Sequence, residues 1–189
     1  MSESRDVMTD KTTLERELVN QARKGDNKAF EDLVRMHQES LYRYLCRLSG
    51  NGEEAMELTQ SSFVKAYLSI RRFRGESSFK TYLFRIASNT WKNNIRDRGK
   101  RHNVDIDQVN IASGDNPHDE VVRNQEQKRF WSLVEGLPPR QKEALTLRVR
   151  EGYPFEEVAK VMGCTTGSAK ASYHHAVEKL KLAFEGEDL

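Results

Sequence analysis

Hydrophobic residues recur along most of this chain at intervals of three and four positions, which is the period of α-helices with a buried face. The longest such stripe runs through residues 27–49 and includes Phe30, Leu33, Leu41 and Leu48. Similar patterns predict further helices over residues 12–24, 53–72, 79–102 and 117–135, and in the segment beyond Pro138. No segment alternates with the period of a strand over a useful length. We therefore expect an all-α protein.

Small polar residues, glycine and proline mark the predicted helix ends. Thr12 and Glu15 have the spacing of a capping box, and the serines before Phe79 are candidate N-caps. Residues 103–116 lack hydrophobic periodicity and are rich in Asp, Asn, Gly and Ser, which is typical of a flexible linker. Asn116-Pro117 suits a helix start. The pattern predicts two small helical domains, at 1–102 and 117–189, joined by this linker.

Charge is segregated along the chain, although its net value is only +2. Residues 71–102 hold ten Lys and Arg against two acidic residues, whereas residues 1–60 hold nine against twelve. Residues 103–119 contain four aspartates and no Lys or Arg, so the predicted linker is acidic. A cationic block on a single helix is typical of proteins that bind nucleic acid.

Several functional classes are disfavoured by the composition. Cys46 and Cys164 lie far apart and without metal-ligand spacing, as expected of a reduced cytosolic protein. No apolar run approaches the roughly 20 residues of a membrane span, and the N-terminus is too polar for a signal peptide. No catalytic carboxylate pair, HxE/CxxC constellation or nucleotide-binding glycine loop is present. We expect a cytoplasmic protein that is not an enzyme, needs no cofactor and does not insert into membranes.

The segment 79–102 carries the strongest indication of nucleic-acid binding. Successive residues of a helix are about 100° apart, which places the apolar residues of this segment on two arcs and predicts a helix packed on two sides. The first arc contains Phe79, Tyr82, Leu83, Ile86 and Thr90, and the second contains Phe84, Trp91 and Ile95. A third, polar arc contains Arg85, Asn89, Lys92 and Arg96, with Asn93 at its margin. Amides can pair with base edges while cations neutralise phosphates. The alternative is a solvated face, but asparagine lowers helix propensity and acidic residues are nearly absent, which favours DNA contact.

The loop before this helix, "RFRGESSFKTY", is a second candidate for contact with DNA. Phe73, Phe79 or Tyr82 could stack on an unpaired base, which contributes about 1–3 kcal/mol per base. That gain is comparable with the cost of extruding a base. The same aromatics are equally compatible with a hydrophobic core. Loop and helix together predict a site for melted single-stranded DNA.

The segment 155–180, "FEEVAKVMGCTTGSAKASYHHAVEKL", has the pattern of a helix-turn-helix, with the turn around Gly163. In its second helix a buried stripe is predicted at Ala169, Tyr173, Ala176, Val177, Leu180 and Phe184. Ser168, Lys170, Ala171, His174 and His175 would face outward, where a recognition helix meets the major groove. Adjacent histidines diverge by about 100° on a helix, so we do not expect them to share a metal ion.

Four segments, in this order, resemble the extracytoplasmic-function (ECF) sigma factors of the sigma-70 superfamily. They are "AFEDLVRMHQESLYRYLCRL", "EEAMELTQSSFVKAY", "FRGESSFKTYLFRIASNTWKNNI" and "LPPRQKEALTLRVREGYPFEEVAKVMGCTTGSAKASYHHAVEKLK". The run Asn89-Thr90-Trp91-Lys92-Asn93 is similar to that of the σE-like members. The resemblance covers roughly residues 25–184.

The resemblance implies that residues 1–102 are sigma region two and residues 117–189 region four. Docking on the β′ clamp coiled coil of core RNA polymerase would use Glu57, Leu58, Gln60, Ser61 and Phe63. Recognition and melting of the minus-ten promoter element would use Arg74, Ser77, Phe79, Tyr82, Arg85, Asn89, Lys92, Asn93 and Arg96. Recognition of the duplex minus-thirty-five element would use Arg140, Thr166, Ser168, Lys170, Ala171, His174 and His175. Region four would also touch the β flap, and an anti-sigma factor would regulate the protein.

Some positions depart from the family pattern. Ser172, His175 and Val177 stand where the family is often basic, which predicts weaker phosphate anchoring or a different element sequence. Met56 and Ser61 stand where acidic residues are common. A free-standing helix-turn-helix regulator, with residues 1–100 as a sensing or dimerisation domain, is the nearest alternative. Such a regulator would bind duplex DNA alone, whereas a sigma factor would need polymerase.

Overall fold

The structure is a computed structural model that describes the backbone of residues 3–102 and 125–186, and the side chains of residues 13–99 and 130–185. Within these ranges it contains helices joined by short connections and no strand, so the all-α prediction is confirmed. The helices are α1 (Glu3–Arg23), α2 (Asn27–Ser49), α3 (Gly52–Ser69), α4 (Phe79–His102), α5 (Gln125–Glu135), α6 (Pro139–Val149), α7 (Phe155–Met162) and α8 (Thr166–Gly186). A 3-10 turn, Ile70–Arg72, follows α3.

Side-chain caps and a left-handed glycine fix the boundaries around α2 and α3. The Asp26 carboxylate accepts hydrogen bonds from the backbone N–H groups of Lys28 and Ala29, at 2.9 and 3.2 Å. Asn51 Oδ1 accepts from Glu54 N at 2.9 Å at the start of α3. Gly50, between the two helices, has a φ of 67°, a backbone conformation that favours glycine. These contacts satisfy backbone groups that helix ends leave without partners.

The predicted helix boundaries are partly confirmed. Ser78 Oγ accepts a hydrogen bond from Thr81 N at 3.1 Å, so a serine caps α4 as expected. The capping box at Thr12 is wrong, because α1 begins at Glu3 and Thr12 lies inside it. The predicted linker, residues 103–116, and the predicted helix start at Asn116-Pro117 lie outside the described residues.

Helix α4 occupies the centre of the N-terminal half. Leu83, Phe84 and Trp91 are completely buried, and they come from both apolar arcs. The helix contacts α2 and α3, and also α7 from the C-terminal half. The prediction that this helix packs on two sides is therefore confirmed.

The two halves of the chain share a hydrophobic cluster. Residues of α1–α4 pack in it with side chains from α6, α7 and α8, including Leu147, Val158 and Val161. A second cluster, formed by Val134, Leu137, Leu145, Ala176 and Leu180, holds α5, α6 and α8 together. None of the described helices combines the length and apolar character that crossing a membrane requires.

Candidate nucleic-acid interface

The polar arc of α4 forms an exposed strip of amides and cations. Arg85, Asn89, Asn93 and Arg96 are all exposed. Within the described residues, no hydrogen bond ties down the amide of Asn89 or Asn93. Among the described side chains, the acidic neighbour of Arg96 is Asp97, at 3.9 Å. We call these four residues the α4 strip. Their exposed groups can contact an external partner, and the Arg85 guanidinium also lies 6.0 Å from the centroid of the Tyr82 ring.

Asn94 is different from its two neighbouring asparagines. Its Nδ2 donates a hydrogen bond to Glu54 Oε1 at 2.9 Å, and Glu54 also forms an ion pair with Arg98. Asn94 therefore ties α4 to α3. Of the three asparagines on this helix, two are exposed and one is structural.

Lys92 lies on the same arc, but its side chain is half-buried, with 31% of its surface exposed, and is engaged by other parts of the chain. Its Nζ is 3.1 Å from Glu143 Oε2 and donates a hydrogen bond to the carbonyl oxygen of Met162 at 2.9 Å. Glu143 belongs to α6 and Met162 ends α7. A cation predicted to contact DNA thus contacts the other half of the chain.

Glu143 is a completely buried carboxylate at the boundary between the halves. Its Oε1 accepts hydrogen bonds from Tyr44 Oη at 3.4 Å and from Ser88 Oγ. Within the described residues, its Oε2 accepts no hydrogen bond and has the charge of Lys92 as its neighbour. Burial raises the pKa of Tyr44 well above its ordinary value, and the neighbouring Glu143 charge raises it further.

The aromatic residues of the loop and of the start of α4 belong to the core. Phe73, Phe79 and Tyr82 are all buried, and the ring centroids of Phe73 and Tyr82 are 4.7 Å apart. The Tyr82 hydroxyl lies 2.6 Å from Ser69 Oγ. All three rings are therefore part of the core, and Phe73 and Phe79 also line a cavity beside it.

A cavity of about 410 Å³ lies beside this aromatic cluster, between α1 and the loop 73–79. Its polar lining includes Arg16, Asn20 and Arg23 from α1, and Arg74, Ser77 and Ser78 from the loop. Gly75, with a φ of 75°, lies in the same loop. The cations of α1 are not predicted from the charge pattern, because residues 1–60 as a whole carry more acidic than basic residues. Arg16, Asn20 and Arg23 are separated by four and then three positions, which places them on one face of a helix. This spacing is the feature of the sequence that indicates a polar face on α1.

Helix α3 exposes a mixed polar and apolar face. Of the residues predicted to dock on polymerase, Glu57 and Gln60 are exposed, Ser61 is half-buried, and Leu58 and Phe63 are in the core. Three exposed apolar side chains share one stripe with Gln60 at intervals of four: Met56, Val64 and Leu68. The sequence indicated only Met56 among them, as a departure from the family pattern. Leu68 is 75% exposed. We call Met56, Gln60, Val64 and Leu68 the α3 stripe.

In the predicted helix-turn-helix, α7 and α8 are joined by residues 163–165. Gly163 has a φ of 68°, and its N–H donates to the Ala159 carbonyl. Thr165 Oγ1 accepts a hydrogen bond from Ser168 N at 3.1 Å and caps α8. Burial raises the pKa of the Cys164 thiol in this turn, and the charge of Glu143 raises it further.

The residues predicted to face outward from α8 do so. Ser168, Lys170, Ala171, His174 and His175 are exposed, as is Arg140 on α6, and Thr166 is half-buried. The predicted burial of Val177 is wrong, since this side chain is 40% exposed. In the part of the chain that the structure describes, His, Cys, Asp and Glu form no group of three or more that could hold a metal ion.

Comparison with known proteins agrees with this arrangement. Residues 33–101, which span α2–α4, match the Sigma-70 region 2 family, and residues 127–180 match the Sigma-70, region 4 family. The ECF RNA polymerase sigma-E factor of Haemophilus influenzae is 36% identical over 174 residues, which cover 87% of this chain and 92% of that protein. The chain is an ECF sigma factor of the sigma-70 family.

Other relatives are consistent with this assignment. The RNA polymerase sigma-H factor of Pseudomonas aeruginosa is 32% identical to this ECF sigma factor over 181 residues, covering 90% of this chain and 94% of the relative. Among solved structures, the Bartonella quintana sigma factor RpoE, in complex with the anti-sigma factor NepR, has a similar fold. Its TM-score is 0.70 at 23% identity, covering 84% of this chain and 98% of that one.

Proposed function

We propose that this sigma factor directs core RNA polymerase to a class of promoters and opens the minus-ten element with binding energy alone, without catalysing a reaction. The observation that carries the proposal is the α4 strip. It presents two amides without described partners, Asn89 and Asn93, inside the segment that matches region 2. The chain also carries the region 4 match, so it can contact promoter DNA at two places.

Minus-ten recognition rests on the strip and on the cavity beside it. The amides can offer a donor and an acceptor to the edge of an unpaired base, and Arg85 and Arg96 can neutralise nearby phosphates. The cavity between α1 and the loop can take an unstacked base, since it is lined by cations, an amide, hydroxyls, the Glu15 carboxylate and the rings of Phe73 and Phe79. Arg74 and Ser77 contribute from the loop. Phe79 would form part of the cavity wall, and Tyr82 would act indirectly, by supporting the loop and α4 from the core.

Docking on polymerase rests on α3. The α3 stripe combines three exposed apolar side chains with an amide, and Glu57 lies beside it. Exposed apolar patches of this kind mark interaction sites in soluble proteins. The resemblance to the family assigns the β′ clamp coiled coil as its partner. Leu58 and Phe63 would support the stripe from within.

Recognition of the minus-thirty-five element rests on the N-terminal part of α8. Lys170 supplies a cation, and Ser168, His174 and His175 supply groups that can reach base edges or phosphates. Arg140 and Thr166 flank the same end of the helix, and Ala171 offers a small apolar contact. The family resemblance also assigns to this half a contact with the β flap.

We further propose that the protein acts in the cytoplasm under the control of an anti-sigma factor. The support for regulation is that the similarly folded Bartonella quintana sigma factor was solved with one bound. The support for the location is the proposed function, because polymerase and promoter DNA are in that compartment.

The test is reconstitution with purified core polymerase. We expect the chain to co-elute with the core enzyme on gel filtration and to confer initiation at discrete start sites on fragmented genomic DNA. Core polymerase alone should show none of these starts. A chain that fails to co-elute, yet binds particular duplex sequences by itself, would instead be a free-standing helix-turn-helix regulator.

A further inference from the structure

The inner part of the cavity between α1 and the loop 73–79 contains a carboxylate, Glu15 of α1. Its side chain lines the cavity and is only 15% exposed. Its Oε1 lies 2.6 Å from Nε2 of the buried His37 on α2. The His37 ring in turn packs against Phe79, the first residue of α4, with 5.5 Å between the ring centroids. The carboxylate is therefore held in place by a side chain that is not itself part of the cavity lining.

This contact engages one oxygen of the Glu15 carboxylate. Among the described residues, no hydrogen bond is made to the other oxygen, Oε2. A carboxylate oxygen in a largely buried place is costly to leave without a donor. A ligand that brings an N–H group into the cavity would supply one, so Glu15 marks a place for a hydrogen-bond donor.

The outer part of the cavity is cationic. Arg16 and Arg23 of α1 and Arg74 of the loop line it and are exposed, and we call them the rim arginines. Arg74 also has Glu76 as a neighbour, at 4.0 Å. Within the lining, three arginines against one carboxylate leave a formal charge of +2. Guanidinium groups bind phosphate oxygens through paired hydrogen bonds, so an anionic group is favoured at the mouth of the cavity.

The size and the apolar part of the lining fit a planar ring. The cavity holds about 410 Å³, within the range of about 300–1,000 Å³ that is typical of small-molecule sites. Phe73 and Phe79 line it together with Val19, and the centroids of the two rings are 6.3 Å apart. Aromatic surface favours contact with a heterocycle. A ring with an N–H donor inside the cavity and a phosphate outside it is the chemistry of a nucleotide.

We propose that this cavity is a nucleotide site, in which Glu15 Oε2 accepts a hydrogen bond from the exocyclic amine of the base and the rim arginines hold the phosphate. Cytosine, adenine and guanine carry such an amine. Uracil and thymine do not, and their ring N–H lies between two carbonyl oxygens that the negative carboxylate would repel. Glu15 therefore determines specificity, against uracil and thymine.

Two sources supply this chemistry, a free nucleotide and a nucleotide of the promoter strand. The second source rests on the proposed minus-ten role of the cavity, whereas the first does not. Both need the same carboxylate and the same arginines. A free nucleotide in the cavity would consequently compete with the promoter strand and lower promoter opening.

The test compares CDP with UDP, which have the same sugar and phosphates and differ in the amine of cytosine and the carbonyl of uracil. Each is titrated into the full-length chain by isothermal titration calorimetry. We expect CDP to bind about tenfold more tightly than UDP, as expected of a hydrogen bond to a charged group. The CDP analogue in which hydrogen replaces the amine should lose most of this advantage. That comparison leaves the protein unchanged, so it holds even if a variant folds poorly.

Glu15→Gln should abolish the difference between CDP and UDP, because an amide can donate to a carbonyl as well as accept from an amine. Glu17→Gln is the matched control, since it removes an exposed carboxylate of α1 that is not part of the lining, and it should keep the difference. Arg23→Gln should weaken the binding of CDP and UDP by a similar factor. Lys24→Gln, at an exposed cation beside Arg23 but outside the lining, should weaken neither.

Short single-stranded oligonucleotides distinguish the two sources. If CDP does not bind but the chain prefers oligo-dC to oligo-dT, and Glu15→Gln removes that preference, the nucleotide of the site belongs to the DNA strand. A preference that survives in Glu15→Gln, or the absence of any preference in both pairs, would overturn the inference. Failure of the proposed function would be recognised separately, as the inability of the parent chain to initiate with core polymerase, and would leave the result with free CDP unaffected.

Discussion

The ammonium of Lys92 on α4 lies 3.1 Å from the carboxylate of Glu143 on α6. This pair joins two parts of the chain that the sequence predicts as separate domains. It also divides the polar arc of α4, since Arg85, Asn89, Asn93 and Arg96 stay exposed while Lys92 is engaged. The exposed members can be tested for DNA contact without disturbing the boundary between the halves.

The paired substitution Asn89→Ala with Asn93→Ala should impair promoter opening. A well-formed amide contact with a base contributes about 1–3 kcal/mol, so we expect a loss of open complex of about tenfold or more. Permanganate reactivity of unpaired thymines in the minus-ten region measures this. Binding to polymerase and thermal stability should be unchanged, because both side chains are exposed and without described hydrogen bonds.

Asn94→Ala is the matched control for this pair. It removes an amide from the same helix, but one that binds Glu54 at 2.9 Å. We expect a loss of stability of about 1 kcal/mol, typical of a lost hydrogen bond, with normal promoter opening at a permissive temperature. Equal opening by the parent and by the Asn89/Asn93 double variant would show that the α4 strip is merely solvated.

Leu68→Asp should weaken binding to core polymerase by about tenfold or more, a change that corresponds to about 1.4 kcal/mol. Leu68 is 75% exposed on the α3 stripe, so a charge there should disturb a docking surface without unfolding the protein. Titration of labelled core enzyme gives the affinity. Leu182→Asp, at a 68% exposed leucine on α8, is the control and should bind nearly as the parent does. Similar losses in both variants would point to a general effect of surface charge.

The features predicted correctly from the sequence are those fixed by local geometry. The angular step of a helix determines which side chains share a face, so both apolar arcs of α4 and the exposed positions of Asn89 and Lys170 could be predicted. Local hydrogen-bonding chemistry likewise predicted the serine cap of α4. These properties depend on residues within a few positions of each other.

The features missed depend on distant parts of the chain. Periodicity could place Lys92 on a polar arc, but Glu143 comes from another helix that folds against it. Arg16 and Asn20 line a cavity only because α1 packs beside the loop at Gly75. Leu58 lies beside exposed residues in sequence, and its burial depends on the helices that surround α3.

Lys170→Ala should reduce the salt dependence of upstream promoter binding. Lys170 is exposed near the start of α8, and its Nζ lies 5.8 Å from the centroid of the Phe155 ring. Loss of one phosphate contact lowers the slope of log affinity against log salt by about 1. Binding of the holoenzyme to an upstream duplex over a salt series measures the slope. Lys179→Ala, at an exposed lysine nine residues further along α8, should keep the parent slope. An unchanged slope for Lys170→Ala would exclude that contact.

Gly163→Ala should destabilise the connection between α7 and α8. Gly163 has a φ of 68°, and a Cβ in this conformation costs about 1–2 kcal/mol. The same residue follows Met162, whose carbonyl accepts a hydrogen bond from Lys92 at 2.9 Å, so a shifted turn should also loosen the contact between α4 and α7. Chemical denaturation measures the loss of stability, and amide hydrogen exchange in α7 measures the loosening.

Gly167→Ala is the control for this last substitution. It lies inside α8 with an ordinary helical backbone, and a Cβ there would lie 3.9 Å from Thr165 Oγ1, an ordinary van der Waals distance. Alanine favours helix over glycine by up to about 1 kcal/mol, so Gly167→Ala should be neutral or stabilising and should leave amide hydrogen exchange in α7 unchanged. If Gly163→Ala were as stable as Gly167→Ala, the turn would tolerate a side chain, and the left-handed glycine would not be what ends α7.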